Sequence, residues 1–139
     1  MIRFILDTGP AQQFINDLNG VRVRGDIERR SGNRVGICMP VLGELWSGVE
    51  CSRSRETNLK RLQHGLSKLV NWPFDERAAV EFGRIFAQLK KMGRPMQQVD
   101  IQIAAIAISV GNCVVITTDS DLSAIPGLKT QDWTVSTTT

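Results

Sequence analysis

The sequence predicts an α/β domain, with a parallel sheet covered by helices on both faces. Two observations carry that reading. Short apolar runs of strand character alternate with helical patterns along the whole chain, the order that builds β-α-β units. One helical stretch, Asp100 to Val110, is apolar nearly all round, and its alanines let it approach a sheet closely.

Ile2 to Leu6 reads as the first strand. Asp7-Thr8-Gly9-Pro10 follows, with Pro10 suited to a helix's first turn, and Ala11 to Leu18 continues as a short helix closed by Asn19-Gly20. The arginine-rich stretch from Val21 reads as a second helix, ended by Ser31-Gly32-Asn33, and Val35 to Met39 as the second strand. Pro40 opens a helix with Val41, Leu42, Leu45, Trp46 and Val49 on one face. Another runs from about Glu56 to Leu69, with Leu59, Leu62, Leu66 and Leu69 at helical spacing. Val70-Asn71-Trp72 reads as a short edge strand. Asp75 suits the cap of an amphipathic helix ending near Met92, with Gly93 and Pro95 beyond it. Gly111 stops the apolar helix, Cys113 to Thr117 is the next strand, and Trp133 to Val135 reads as the last.

The chain of 139 residues is expected to form a single domain over 1–139. Its 42% hydrophobic and 22% charged residues are ordinary for a globular protein. No apolar run approaches the ~20 residues that cross a bilayer, and Met1 to Asp7 meets charge too soon for a secretory signal. The cysteines are Cys38, Cys51 and Cys113, odd in number and without a CxxC pair. They argue against a disulfide framework or a zinc site and for a cytoplasmic location.

In parallel sheets of this kind the ligand site lies beyond the carboxyl ends of the strands, where the strand order reverses. Asp7 directly follows the first strand. Asp119 and Asp121 follow the strand that ends at Thr117. Glu44 lies in the first turns of the helix after the second strand, and Asp100 in the first turn of the apolar helix. Asp100 shares a helical face with Ile103, Ala104 and Ala107, so its carboxylate is drawn out of water. Taken singly, each acid has a plainer explanation: a helix-end carboxylate for Asp100, a surface glutamate for Glu44, caps for Asp7 and Asp119. Together they would repel strongly unless a cation holds them or some are protonated. The one histidine, His64, lies far along the chain in another helix. An all-oxygen set without His or Cys selects a hard ion, magnesium or manganese, which can activate water against a phosphodiester. One ion or two would serve.

The motifs Ile5-Leu6-Asp7-Thr8, Val41-Leu42-Gly43-Glu44-Leu45-Trp46-Ser47-Gly48-Val49-Glu50, Gly93-Arg94-Pro95, Asp100-Ile101-Gln102-Ile103-Ala104-Ala105 and Ile116-Thr117-Thr118-Asp119 resemble the PIN domain. In particular they resemble the VapC-type toxins of bacterial toxin–antitoxin pairs, as does Ile125-Pro126-Gly127-Leu128 followed by Asp132-Trp133. The resemblance spans essentially the whole chain. It implies a Rossmann-like three-layer fold, magnesium-dependent endoribonuclease activity, a VapB-type antitoxin partner and a homodimer. It makes Asp7 and Asp100 the direct metal ligands, with Glu44 and Asp119 completing the acidic pocket and Thr8 the hydroxyl beside the first acid. Gly9-Pro10 departs from the family, which usually places Asn after Asp-Thr. Asp121 also fits the last acidic position, although Asp119 is nearer the strand end.

The net charge of +3 and pI near 9.0 point only weakly to a polyanionic partner. Two basic clusters say more: Arg22, Arg24, Arg29, Arg30 and Arg34, and then Arg53, Arg55, Lys60 and Arg61. They are either solvated helix faces or, in this context, surfaces that grip RNA phosphates. No aromatic pattern for base stacking accompanies them. A catalytically silent PIN-like module that binds RNA or protein is the alternative, though its mark would be a broken acidic set. A receiver would need a second acid beside the first-strand Asp and an acceptor Asp ending the middle strand, and neither is evident; a DxD phosphatase would need an Asp where Gly9 stands.

Overall fold

Phe4, Ile5 and Leu6 offer water no polar side chain on either side, and the chain buries all three in the middle of the sheet. They belong to β1 (Arg3–Leu6) of the computed structural model, which describes residues 1–134. Helices α1 (Thr8–Asn16) and α2 (Val21–Arg30) lead to β2 (Arg34–Cys38). Helices α3 (Met39–Glu50) and α4 (Arg55–Leu66) then lead to β3 (Val70–Trp72). Next come α5 (Glu76–Lys91), α6 (Gln98–Val110) and β4 (Cys113–Ile116), followed by the short α7 (Ser120–Ser123) and β5 (Lys129–Gln131).

The five strands lie in the order β3-β2-β1-β4-β5, and every neighbouring pair is parallel. The chain walks outward from β1 to β3, then returns to place β4 on the other side of β1. The order therefore reverses between β1 and β4, which opens a crevice at their carboxyl ends. Their register pairs Leu6 with Ile116, and the Asp7 amide continues the ladder by donating to the Ile116 carbonyl at 2.9 Å. Asp7 and Thr117 thus face each other across the crevice as a consequence of strand pairing.

Packing explains the rest of the frame. Ile101, Ile103, Ala104, Ala105, Ile106 and Ala107 are all buried, so α6 is enclosed on nearly every side, by α5, α3 and β4. Asp75 caps α5 by accepting from the Ala78 amide at 2.9 Å, and Gly93 past its end takes a positive φ of 65°. Gly36 of β2 lies so close to the edge strand that a Cβ there would meet the Val70 carbonyl oxygen at 2.1 Å and the Trp72 ring at 2.8 Å. Gly36→Ala must push β3 away, and we expect it to lower unfolding stability by about 1–3 kcal/mol, read from the urea midpoint. An unchanged midpoint would mean that β3 contributes nothing to global stability.

Some boundaries differ from those expected. α1 starts at Thr8 rather than Ala11 because the Asp7 side chain caps it, accepting from the Thr8 amide at 2.8 Å. α4 stops at Leu66, since residues 67–69 turn to feed β3. Among the described residues the last strand is Lys129–Gln131, earlier than the expected Trp133 to Val135. It carries no apolar run and is specified by pairing with β4 and by the Thr117 amide donating to the Gln131 carbonyl at 3.0 Å. Trp133 lies in a turn with its ring buried 5.1 Å from that of Phe4, and Val135 falls outside the described residues. Among the described residues no helix is long and apolar enough to cross a membrane.

Candidate active site

Asp7 is held from two directions. Its Oδ1 accepts from the Thr8 amide at 2.8 Å and its Oδ2 from the Thr117 hydroxyl at 2.9 Å. Each carboxylate oxygen has capacity for a second partner, so the group is fixed in orientation yet still open to a ligand. Thr117 Oγ1 also accepts from the Asp119 amide at 2.9 Å, which ties the loop after β4 to the end of β1. Thr117 is buried, the only polar residue so classed among those described. The sequence placed it only as a strand end; its signal was a hydroxyl residue immediately beyond a buried strand and level with Asp7.

Asp119 N-caps α7 by accepting from the Asp121 amide at 2.8 Å. Asp121 itself is exposed and forms an ion pair with Arg94 at 3.1 Å. Of the two candidates for the last acidic position, Asp119 is thus the half-buried one without a basic partner among the described residues. Glu44 is exposed. It borders the buried stripe of Val41, Leu45 and Val49 on α3 and reaches the Thr8 hydroxyl, which donates to its Oε1 at 2.5 Å. Asp100, in the first turn of α6, is half-buried above Ile103, Ala104 and Ala107. Among the described residues no protein group donates a hydrogen bond to its carboxylate.

The electrostatics record how these groups share one rim. Burial pushes the Asp7 carboxyl up. The Thr8 amide and Thr117 hydroxyl oppose that shift, while the charges of Asp119 and Glu44 add to it. Asp100 is pushed up to about 6, first by burial and then by Asp119, Asp7, Asp121 and Glu44. Carboxylates from four separate segments therefore feel one another at the point where the strand order reverses. Among the described residues no three His, Cys, Asp or Glu side chains are gathered closely enough to chelate one ion unaided. The rim is an open set of oxygen donors rather than a closed cage. A hard ion bound here would take only one or two of these carboxylates and keep several waters. Thiol chemistry is a poor competitor, since burial pushes both Cys38 and Cys113 up to about 12 and keeps them protonated near neutrality.

The first arginine cluster does not border this rim. Arg22 donates to the carbonyls of Phe14 and Ile15, closing the end of α1, and Arg24 lies over the Trp133 ring. Arg29, Arg30 and Arg34 open at the opposite edge of the sheet, where β2 begins. Of the second cluster, Arg55 is paired with Glu50 and Glu56.

Residues 4–128 match the PIN domain family. The chain is 33% identical to the tRNA(fMet)-specific endonuclease VapC of Salmonella typhimurium, over 96% of this chain and 99% of that protein. Among solved structures it is similar to DNA-bound VapBC from Salmonella typhimurium, with a TM-score of 0.85 and 32% identity over 96% of this chain and 99% of that one. It is also similar to VapBC2 from Rickettsia felis bound to a promoter DNA fragment, with a TM-score of 0.88 and 26% identity over 95% of this chain and 99% of that one.

Proposed function

The chain belongs to the PIN-domain family, in its VapC branch, and from that premise we propose that it is an endoribonuclease that hydrolyses RNA with magnesium, or manganese, as cofactor. The observation that carries this is the pair Asp7 and Asp100, two partly desolvated carboxylates close enough that the charge of Asp7 pushes the Asp100 carboxyl up. Such an arrangement is unfavourable near neutral pH unless a cation answers it or a proton is taken up.

In this reading Asp7 and Asp100 hold the ion, and Glu44 and Asp119 complete the acidic pocket directly or through water. A bound divalent ion lowers the pKa of a water and neutralises charge on the leaving oxygen of a phosphodiester. The protein's own part is to present oxygen donors in fixed positions. Thr8 and Thr117 orient Asp7, Thr8 also steadies Glu44, and Thr117 holds Asp119 within reach. Arg94 pairs with Asp121, whose charge still adds to the field at Asp100.

Thr117 is thus a positioning residue. Thr117→Val keeps the shape but removes the hydroxyl, leaving the Asp119 amide without its partner. We expect about 1–2 kcal/mol of lost stability and about a tenfold fall in kcat with KM little changed, with Thr117→Ser restoring most of both. A Val variant with full kcat would show that Asp7 needs no such support.

The relatives of known structure are VapBC complexes, and we extend that to this chain: a VapB-type antitoxin restrains it, and it acts as a homodimer in the cytoplasm, as the toxin of the pair. Purified protein incubated with RNA in magnesium should yield discrete fragments, and induction without a partner should arrest growth. RNA that stays intact in both magnesium and manganese, or normal growth with soluble protein confirmed, would contradict this reading.

A further inference from the structure

A cleft of about 660 Å³ lies at the end of the sheet opposite the acidic rim, where β2 and β3 begin. Arg29 and Arg30 reach it from the last turn of α2, Arg34 from the start of β2, and Lys68 from the turn before β3. Among the described residues Arg30, Arg34 and Lys68 have no carboxylate within ion-pair distance, and Arg29 has only Asp26, at 3.5 Å. The neighbouring Glu28 is engaged by Arg24 and by the Asn33 amide.

These cations exceed what the fold itself requires. The ends of α2 and α4 meet here, and each helix end carries about half a negative charge, which favours a basic residue or two. With Asp26 added, roughly two positive charges stay unanswered. The lining holds no aromatic ring and no histidine, so nothing is placed to stack a base. Three guanidinium forks suited to phosphate oxygens stand around a floor that Val35, Leu69 and Val70 make partly apolar, and the open cleft suits a sugar–phosphate chain read by charge and shape.

We propose that this cleft is a second RNA-binding site that grips the backbone several nucleotides from the cut. The inference rests on the ribonuclease reading above. β2 has five residues, which at ~3.3 Å each puts the cleft roughly 15 Å or more from the rim. At ~3.4 Å per stacked nucleotide a trinucleotide falls short of that separation, whereas a folded RNA can curve around the edge formed by β2 and β3.

The experiment separates this from catalysis by measuring binding on the Asp100→Asn protein, where RNA stays uncut. In that background Arg30→Glu with Arg34→Glu should weaken binding of a folded RNA about tenfold and reduce the salt slope of log K by about 1.5. Arg30→Gln with Lys68→Gln should follow in the same direction to a smaller degree, and circular dichroism should report an unchanged fold for both. In the otherwise native protein the same changes should raise KM for the folded RNA and leave cleavage of a trinucleotide as it was. Unchanged folded-RNA affinity and salt slope would overturn the proposal and leave the cleft to an acidic peptide instead. Equal loss on the short RNA would overturn it too, by making these residues part of the cutting site. Failure of the native protein to cut any RNA would refute the nuclease reading while leaving the binding result to stand.

Discussion

Asp100→Asn is expected to lower RNA cleavage by at least about 100-fold and, at the same time, to make the protein harder to unfold. The two effects have one cause. Asp100 is pushed up to about 6 by burial and by Asp119, Asp7, Asp121 and Glu44, so its ionised form is disfavoured in the folded chain. Between about pH 4 and pH 6 the folded state therefore holds more protons than the unfolded one. Stability is lost as pH rises through that window and stays lower above it. Asparagine has nothing to titrate and escapes the loss. Because the side chain is partly solvated, the gain at pH 7 is on the order of 1 kcal/mol after allowance for screening, or about 3–5 °C in Tm. The comparison is made in chelator, and the gain should vanish at pH 4. Asp7→Asn should abolish cutting equally, but it disturbs the helix cap and the Thr117 contact, so no stabilisation is expected there. A variant at Asp100 that cuts at the parental rate, or is no more stable at pH 7, would contradict this assignment.

The second large effect concerns the cation. Titrating magnesium into chelator-treated protein should raise Tm progressively, because the ion binds the folded carboxylates and not the unfolded chain. At one hundred times its Kd the gain is about 2.7 kcal/mol. The same titration should flatten the pH dependence described above, since a bound cation relieves the repulsion that produces it. The double variant Asp7→Asn with Asp100→Asn should show neither response, and chelator should stop cleavage by the native protein altogether. Equal magnesium stabilisation of native and double-variant protein would move the ion to some other place.

Much of this was legible in the chain because it rests on covalent order and burial. Asp7 had to sit at a strand's carboxyl end since the buried run ends at Leu6, and Asp100 had to face inward because Ile103, Ala104 and Ala107 share its side of the helix. What stayed hidden depends on tertiary partners. β5 is three polar residues that become a strand only by pairing with β4. The apolar Trp133 beside it attracted the strand assignment although it serves as a plug against Phe4. Gly36 looks unremarkable until Val70 is seen to lie against it. The arginines of α2 form one cluster in sequence, yet helix geometry divides them: Arg22 and Arg24 secure the packing, while Arg29 and Arg30 face the far cleft. Proximity along the chain gave no indication of which edge of the sheet they serve.

The account turns on whether one hard cation is shared by carboxylates from β1 and α6. Crystals soaked in manganese and measured for anomalous scattering report this without recourse to activity. The expected result is a peak within coordination distance, about 2.0–2.3 Å, of oxygens from both Asp7 and Asp100. Manganese bound only elsewhere on the molecule, or these two carboxylates remaining too far apart to touch one ion at saturating manganese, would contradict it.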